Sequence, residues 1–243
     1  SNGNDAILTR DNIDIKGLKG KQISLVELSV SHYLLSRCLT MNGLKEKDVN
    51  LINTSDADIA PIFLSNSSQK VVVTWNPMVM QVEQAPGINK IFTSADIPGE
   101  VLDLMVVNTK TLQADPALGK ALTGAWFEVL ALISKRGPET DKALEFMASS
   151  AGCSAVEFKN QLKTTAMFWT PQAALDFTTS EEIRTKMEFV RQFCFDKGLL
   201  GEGSDSADIF GVSYPGGEVQ GNKNKVRMRF DASFVKMAAE GSL

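Results

Sequence analysis

The strand-like stretch QISLVEL runs directly into Ser29, Val30, Ser31 and His32, and a strand that feeds a serine-flanked helix start is how an α/β protein offers backbone N–H groups to a small ligand. Ser29 and Ser31 are both suited to cap the helix, since a hydroxyl there accepts from an otherwise unpaired first-turn N–H. Capping alone is the plainer reading of the pair. His32 is the only histidine in the chain. Lacking an acidic or cysteine partner nearby in sequence, it reads as structural rather than catalytic. A second element that could bind is Trp75-Asn76-Pro77, at the end of an apolar strand, where an aromatic face and an amide can both look into a cleft; core packing of Trp75 is the alternative. Three carboxylates complete the set: Asp5 before one extended segment, Glu27 at the end of the strand that feeds the serines, and Asp103 inside another extended segment. Carboxylates brought together there must be paired or solvated, and they suit a ligand rich in N–H donors with Trp75 stacked on its flat face. The partial positive charge of a helix amino terminus favours a small anion instead, and ion pairs to Lys21 or Arg10 would make the same acids purely structural.

The elements that must position these residues come in two regimes. From residue 22 to about 93, strand and helix alternate: QISLVEL with SHYLLSRCLTMN, VNLIN with DADIAPIFLSN, KVVVTW with PMVMQVEQ, then NKIFT. This alternation predicts a parallel or mostly parallel sheet covered on both faces. Leu34, Leu35, Cys38 and Leu39 fall on one helical face, and Gly43 closes that helix. The short apolar strand AILT and the stretch LMVVN bracket this region and read as two connecting crossings, a hinge. Beyond them, helices are predicted over roughly 116–135, 138–151, 154–166 and 180–197, with Asp115 and Pro116 suited to a helix start. The glycine-rich stretch 201–224 has loop composition, and RFDASFVKMAAEG resumes helical spacing with Gly241 as its stop.

Composition narrows the functions. At 243 residues with 43% hydrophobic content and mean hydropathy near zero, the chain can bury one large core or two small ones. Its 25 basic and 29 acidic residues are mixed in order, so no basic stripe exists to follow a phosphate backbone, and nucleic acid is not an expected partner. No apolar run approaches the roughly 20 residues that span a bilayer, and SNGNDAILTR has no signal-peptide pattern. Cys38, Cys153 and Cys194 are widely spaced without metal-ligand spacing, so no metal site or cofactor is expected.

In order and spacing, several of these strings resemble one family: DAILTR, LKGKQISL before SxSHYLL, NGLKEKDVNLIN, VVVTWNP, and IFTSADIPG leading into LMVVN. They are similar to the solute-binding proteins of ABC importers in the sulfonate, nitrate and taurine class, over roughly residues 4 to 135. The tail through RFDASFVKMAAEG is similar to a subgroup found beside urea or guanidine metabolism.

The resemblance implies an α/β fold of the type II periplasmic-binding-protein (Venus-flytrap) kind, two lobes joined by two crossover strands. Residues 10–102 would form the second lobe, with 1–9 and 103–243 completing a first lobe that lacks its amino-terminal part. It further implies that Ser29, Val30 and Ser31, with His32 in the same turn, touch the ligand, alongside Asp5, Glu27, Trp75, Asn76 and Asp103. The implied role is capture, without catalysis, of a small urea- or guanidine-like solute between the lobes and its delivery to a membrane permease. A small anion such as sulfonate, taurine or nitrate is the alternative ligand. A monomer in the periplasm or another extracytoplasmic space is implied, with lipid anchoring left open and any signal peptide outside this stretch. Two readings from other classes share the architecture. A thiamine-pyrimidine-forming enzyme draws, as that family is known, on histidine and a cysteine-rich motif, whereas this chain has one histidine and scattered cysteines. The effector-sensing part of a transcription regulator would add a helix-turn-helix segment.

Overall fold

The computed structural model describes residues 1–243, which form two compact units: Ser1–Leu102 with Lys163–Ala166, and Asp103–Leu162 with Met167–Leu243. In the first, β1 (Asp5–Thr9), β2 (Gln22–Leu25), α1 (Val30–Met41), β3 (Asn50–Asn53), α2 (Asp56–Ser65), β4 (Val71–Trp75), α3 (Met78–Glu83) and β5 (Asn89–Thr93) follow one another. They build one five-stranded sheet in the order β3-β2-β4-β1-β5. β2 pairs in parallel with β3 and β4, while β1 runs antiparallel to both β4 and β5.

The sheet is therefore mixed, not wholly parallel, and β1 lies within it, hydrogen-bonded on both edges. Residues 1–9, expected apart from 10–102, thus share this unit with them. Every residue of β1 is buried, which explains its unbroken DAILT run: a strand covered on both faces shows no alternation. Ala6, Leu8 and Val72 pack with Ile59 and Phe63 of α2 and with Val79 of α3. Ile7 and Val73, one residue along each strand, point to the other face, where α1 contributes Leu34, Leu35 and Leu39. The carboxyl end of α1 closes in a Schellman turn, with Gly43 at φ +73°, its N–H donating to Thr40 O and the Leu44 N–H to Leu39 O.

The second unit comprises α4 (Thr109–Ala114), α5 (Pro116–Ile133), α6 (Pro138–Ser150), α7 (Ala155–Leu162), α8 (Pro171–Thr179), α9 (Glu181–Asp196), β6 (Gly211–Ser213), β7 (Val219–Gly221), β8 (Val226–Arg229) and α10 (Ser233–Ala239). Asp115 caps α5 through the Ala117 N–H, with Pro116 in the first turn. Although α5 is long and apolar enough to cross a membrane by length and composition, it packs against α4, α6 and α10. Leu130, Ile133 and Leu144 form a core joined by Phe158 and Met167. The helix expected over 154–166 stops at Leu162, and 163–166 pack with the first unit. A small sheet in the order β7-β6-β8 forms inside the expected loop region and continues beyond it.

One sequence expectation fails outright: LMVVN forms no strand. Residues 102–108 carry no regular structure, and Val106 is 81% exposed. A strand needs a hydrogen-bonding neighbour, and these residues have none.

Gly119 shows how close the packing of the second unit is. A Cβ placed there would lie 2.4 Å from Phe234 Cζ, where α10 seats its ring against α5. Gly119→Ala is expected to cost about 1–3 kcal/mol by overpacking, read as a lower urea midpoint at unchanged slope.

Candidate functional site

The carboxyl ends of β2, β3 and β4, where ligands bind in open α/β sheets, carry the chemistry of the first unit. The loop from Val26 to Ser29 is pinned at each residue. The Glu27 N–H donates to Asn53 Oδ1 (3.0 Å), the Leu28 N–H to His32 Nδ1 (3.1 Å), and Ser29 Oγ–H to Val26 O (2.7 Å). Ser29 is the N-cap of α1, its Oγ accepting from the Ser31 N–H at 3.1 Å. The first turn of α1 contains no acidic residue to offset its positive end. Glu27 and Val30 have exposed side chains, whereas Ser31 and His32 are buried. Ser31 Oγ and Thr74 Oγ1 are buried with no hydrogen-bond partner.

His32 thus differs from its sequence expectation as a ligand-touching group. Its Nδ1 accepts from Leu28 and its Nε2 lies 3.0 Å from Glu46 Oε2, so both ring nitrogens are engaged by groups of the protein itself. Cys38, on the same helix, is no nucleophile either: burial, with the charge of Asp96 adding, pushes its thiol up to about 12.

Next to this loop, β1 and β4 place Asp5 directly across from Trp75 in the antiparallel ladder. Asp5 is 5% exposed and accepts from Ser1 Oγ at 2.6 Å; Trp75 is half-buried. Neither Lys21 nor Arg10 takes up the ion-pair role open to them in the sequence. Arg10 lies over the Phe63 ring at 4.5 Å and donates to Phe63 O at 2.8 Å.

Asn76 is buried, and both polar atoms of its side chain are engaged. Its Oδ1 accepts from the Met80 N–H (3.2 Å), its Nδ2 donates to Thr164 Oγ1 (3.2 Å), and its N–H donates to Asn4 O (3.0 Å). It positions the end of β4 more than it presents an amide to solvent.

Asp103 stands apart from these residues in the chain's organisation. It is exposed, lies in the strandless segment and belongs to the second unit. Conversely, sequence reading missed Asp56, three residues beyond β3 as Glu27 is two beyond β2, with Leu25 and Asn53 paired in register. Asp56 is exposed, and partial desolvation shifts its carboxyl upward from the ordinary value. Its signal was available: an acid at the first helical position after a strand. Asn53, Thr164 and Glu46, which hold the site in place, had none. No group of three or more His, Cys, Asp or Glu is placed to hold a metal ion.

This sheet, with its helix starts at one end, has recognisable kin. Residues 5–129, more than half of the chain, match the family model described as NMT1/THI5 like. The chain belongs to the NMT1/THI5-like family. Among solved structures, this NMT1/THI5-like chain is similar to the periplasmic aliphatic sulphonate binding protein SsuA from Escherichia coli, with a TM-score of 0.65 at 17% identity over 84% of this chain and 67% of that one. The alkanesulfonate-binding protein SsuA from Xanthomonas axonopodis pv. citri, bound to MOPS, gives 0.60 at 15% over 83% and 67%. A periplasmic sulfonate-binding protein SsuA from Methylobacillus flagellatus KT gives 0.63 at 14% over 80% and 59%. No curated protein matches the chain. At these identities the likeness is one of fold, and that fold is the α/β periplasmic-binding-protein type.

Proposed function

We propose that this NMT1/THI5-like chain is an extracytoplasmic solute-binding component of an ABC importer, monomeric and without catalytic turnover. It holds a small flat nitrogenous solute of the urea or guanidinium kind and delivers it to a membrane permease. The first unit corresponds to the second lobe of the binding protein and the second unit to the first lobe. The observation that carries the ligand class is the pairing of Asp5 with Trp75 across β1 and β4: a buried carboxylate beside a half-buried indole. A planar N–H donor can hydrogen-bond the carboxylate and stack on the ring. Glu27 and Asp56 add negative charge at the same end of the sheet.

A second reading rests on a different observation. The acid-free amino terminus of α1, with Ser31 Oγ unpartnered in its first turn, favours a small anion such as a sulfonate, taurine or nitrate. The structural neighbours named for sulfonates support that reading.

Calorimetric titration of the chain with urea, millimolar guanidinium, taurine, methanesulfonate and nitrate separates the two. The expected result is binding of guanidinium or urea, weakened about tenfold or more by Trp75→Ala and by Asp5→Asn through loss of stacking and of a charge-assisted hydrogen bond. Tight methanesulfonate binding that ignores substitution of Asp5, Glu27 and Asp56 would overturn it in favour of the anion.

A further inference from the structure

We infer that His32 is a positioning residue, whose Nδ1 locks the loop between β2 and α1 into its binding shape while Glu46 fixes the ring from behind. This rests on the reading above that Glu27, in the loop between β2 and α1, lies on the ligand's side of the sheet. Leu28 sits at φ +61°, a left-handed conformation that costs a non-glycine residue about 1–2 kcal/mol. Its side chain is 51% exposed, so packing of that side chain does little to hold the backbone there. What does hold it is the 3.1 Å hydrogen bond from the Leu28 N–H to His32 Nδ1.

That bond settles the state of the ring. A backbone N–H only donates, so Nδ1 must be the bare nitrogen, and the proton sits on Nε2, which donates to Glu46 Oε2 at 3.0 Å. Glu46 belongs to the 3-10 turn between α1 and β3, and His32 itself is 3% exposed. The ring is therefore anchored at its far side by one connection and used at its near side to shape another. The neighbouring bonds of Glu27 to Asn53 and of Ser29 to Val26 fix residues on either side of Leu28 and leave its own N–H to His32 alone. With Leu28 so placed, Ser29 caps α1, and Glu27 and Val30 are presented to solvent.

Two substitutions separate the functions of the two nitrogens. In His32→Asn the amide oxygen falls near the place of Nδ1 and can accept from Leu28. In His32→Gln the amide reaches the place of Nε2, keeping the Glu46 contact and losing the acceptor. Multiple-bond 15N–1H correlation spectra of the wild-type chain are expected to show bare Nδ1 and protonated Nε2. Hydrogen exchange at Leu28 is expected to stay slow in His32→Asn and to quicken about tenfold or more in His32→Gln, the weight of one lost hydrogen bond. Guanidinium affinity is expected to stay within about threefold in the first and to fall about tenfold in the second, by the same lost bond. Protonated Nδ1 in the wild type, or equal behaviour of the two variants in either direction, overturns the inference. If the wild type binds no probe at all, the ligand reading fails, while the spectra and the Leu28 exchange still decide whether His32 shapes the loop.

Discussion

Glu100→Ala is expected to lower the unfolding free energy by about 3–5 kcal/mol, the cost of removing one partner from a buried ion pair. Glu100 is 5% exposed, and its two oxygens are shared between residues one turn apart on α1. Oε2 accepts from Tyr33 Oη at 2.5 Å and from Arg37 Nε at 2.7 Å, and Oε1 accepts from Arg37 Nη2 at 3.0 Å. Alanine leaves a guanidinium whose side chain is 17% exposed and a buried hydroxyl without their common acceptor. Urea denaturation followed by circular dichroism measures the loss. Glu100→Gln, which keeps an acceptor but not the charge, should fall between alanine and wild type, and Glu100→Ala with Arg37→Met should be less destabilised than the single variants sum to. A loss under about 1 kcal/mol would place the cluster among surface-like pairs and refute its buried role. The cluster also has an alkaline signature. Burial first, and then the Glu100 hydrogen bond, raise the Tyr33 pKa far above its ordinary 10.0, so the phenol stays a donor in the folded state. A raised folded pKa means stability that is intact below pH 10 and declines as pH rises beyond it.

That cluster was invisible in the sequence, and the reason is general to this chain. Patterns that live within one element were legible: the serine cap of α1 at Ser29, the stop at Gly43, the apolar runs of β2 and β4, and the Asp115-Pro116 start of α5 each follow from local backbone chemistry. Strand direction was not, because an apolar run such as DAILT is the same whether its neighbours run parallel or antiparallel; only the ladder puts Asp5 across from Trp75. LMVVN misled for the converse reason, since an apolar stretch predicts a strand only where an edge is available to receive it. α8 was missed although Thr170 caps it through the Ala173 N–H with Pro171 in its first turn, a signal present in the string TPQAA. At the site, residue types identified the loop of Ser29 and the end of β4. They did not show that His32 and Asn76 turn inward, because their partners Glu46 and Thr164 lie 14 and 88 residues away.

Gly221→Ala carries the second large expectation, a loss of about 2–5 kcal/mol confined to the second unit: about 1–2 for a left-handed backbone and about 1–3 for overpacking. Gly221 ends β7 at φ +78°, and a Cβ there would stand 2.2 Å from Phe210 O and 2.7 Å from Arg191 Nη2. The carbonyl cannot move freely, because the Asn222 N–H donates to it, and Gly221 pairs with Gly211 across the β6–β7 ladder. Arg191 is equally committed: Nη2 donates to Ala207 O at 2.9 Å and pairs with Asp208 at 2.6 Å, while Nη1 pairs with Glu188. An added methyl therefore meets a strand on one side and the arginine that ties α9 to the 207–209 turn on the other. The glycine-rich composition that reads as a loop is, at this position, what lets β6 and β7 approach closely enough to pair. Hydrogen exchange by mass spectrometry should show faster exchange in 207–229 and unchanged protection in β1, β2 and β4. Uniform loss of protection through both units would mean that the small sheet is coupled to the whole chain; wild-type exchange throughout would mean that the close approach at Gly221 does not exist.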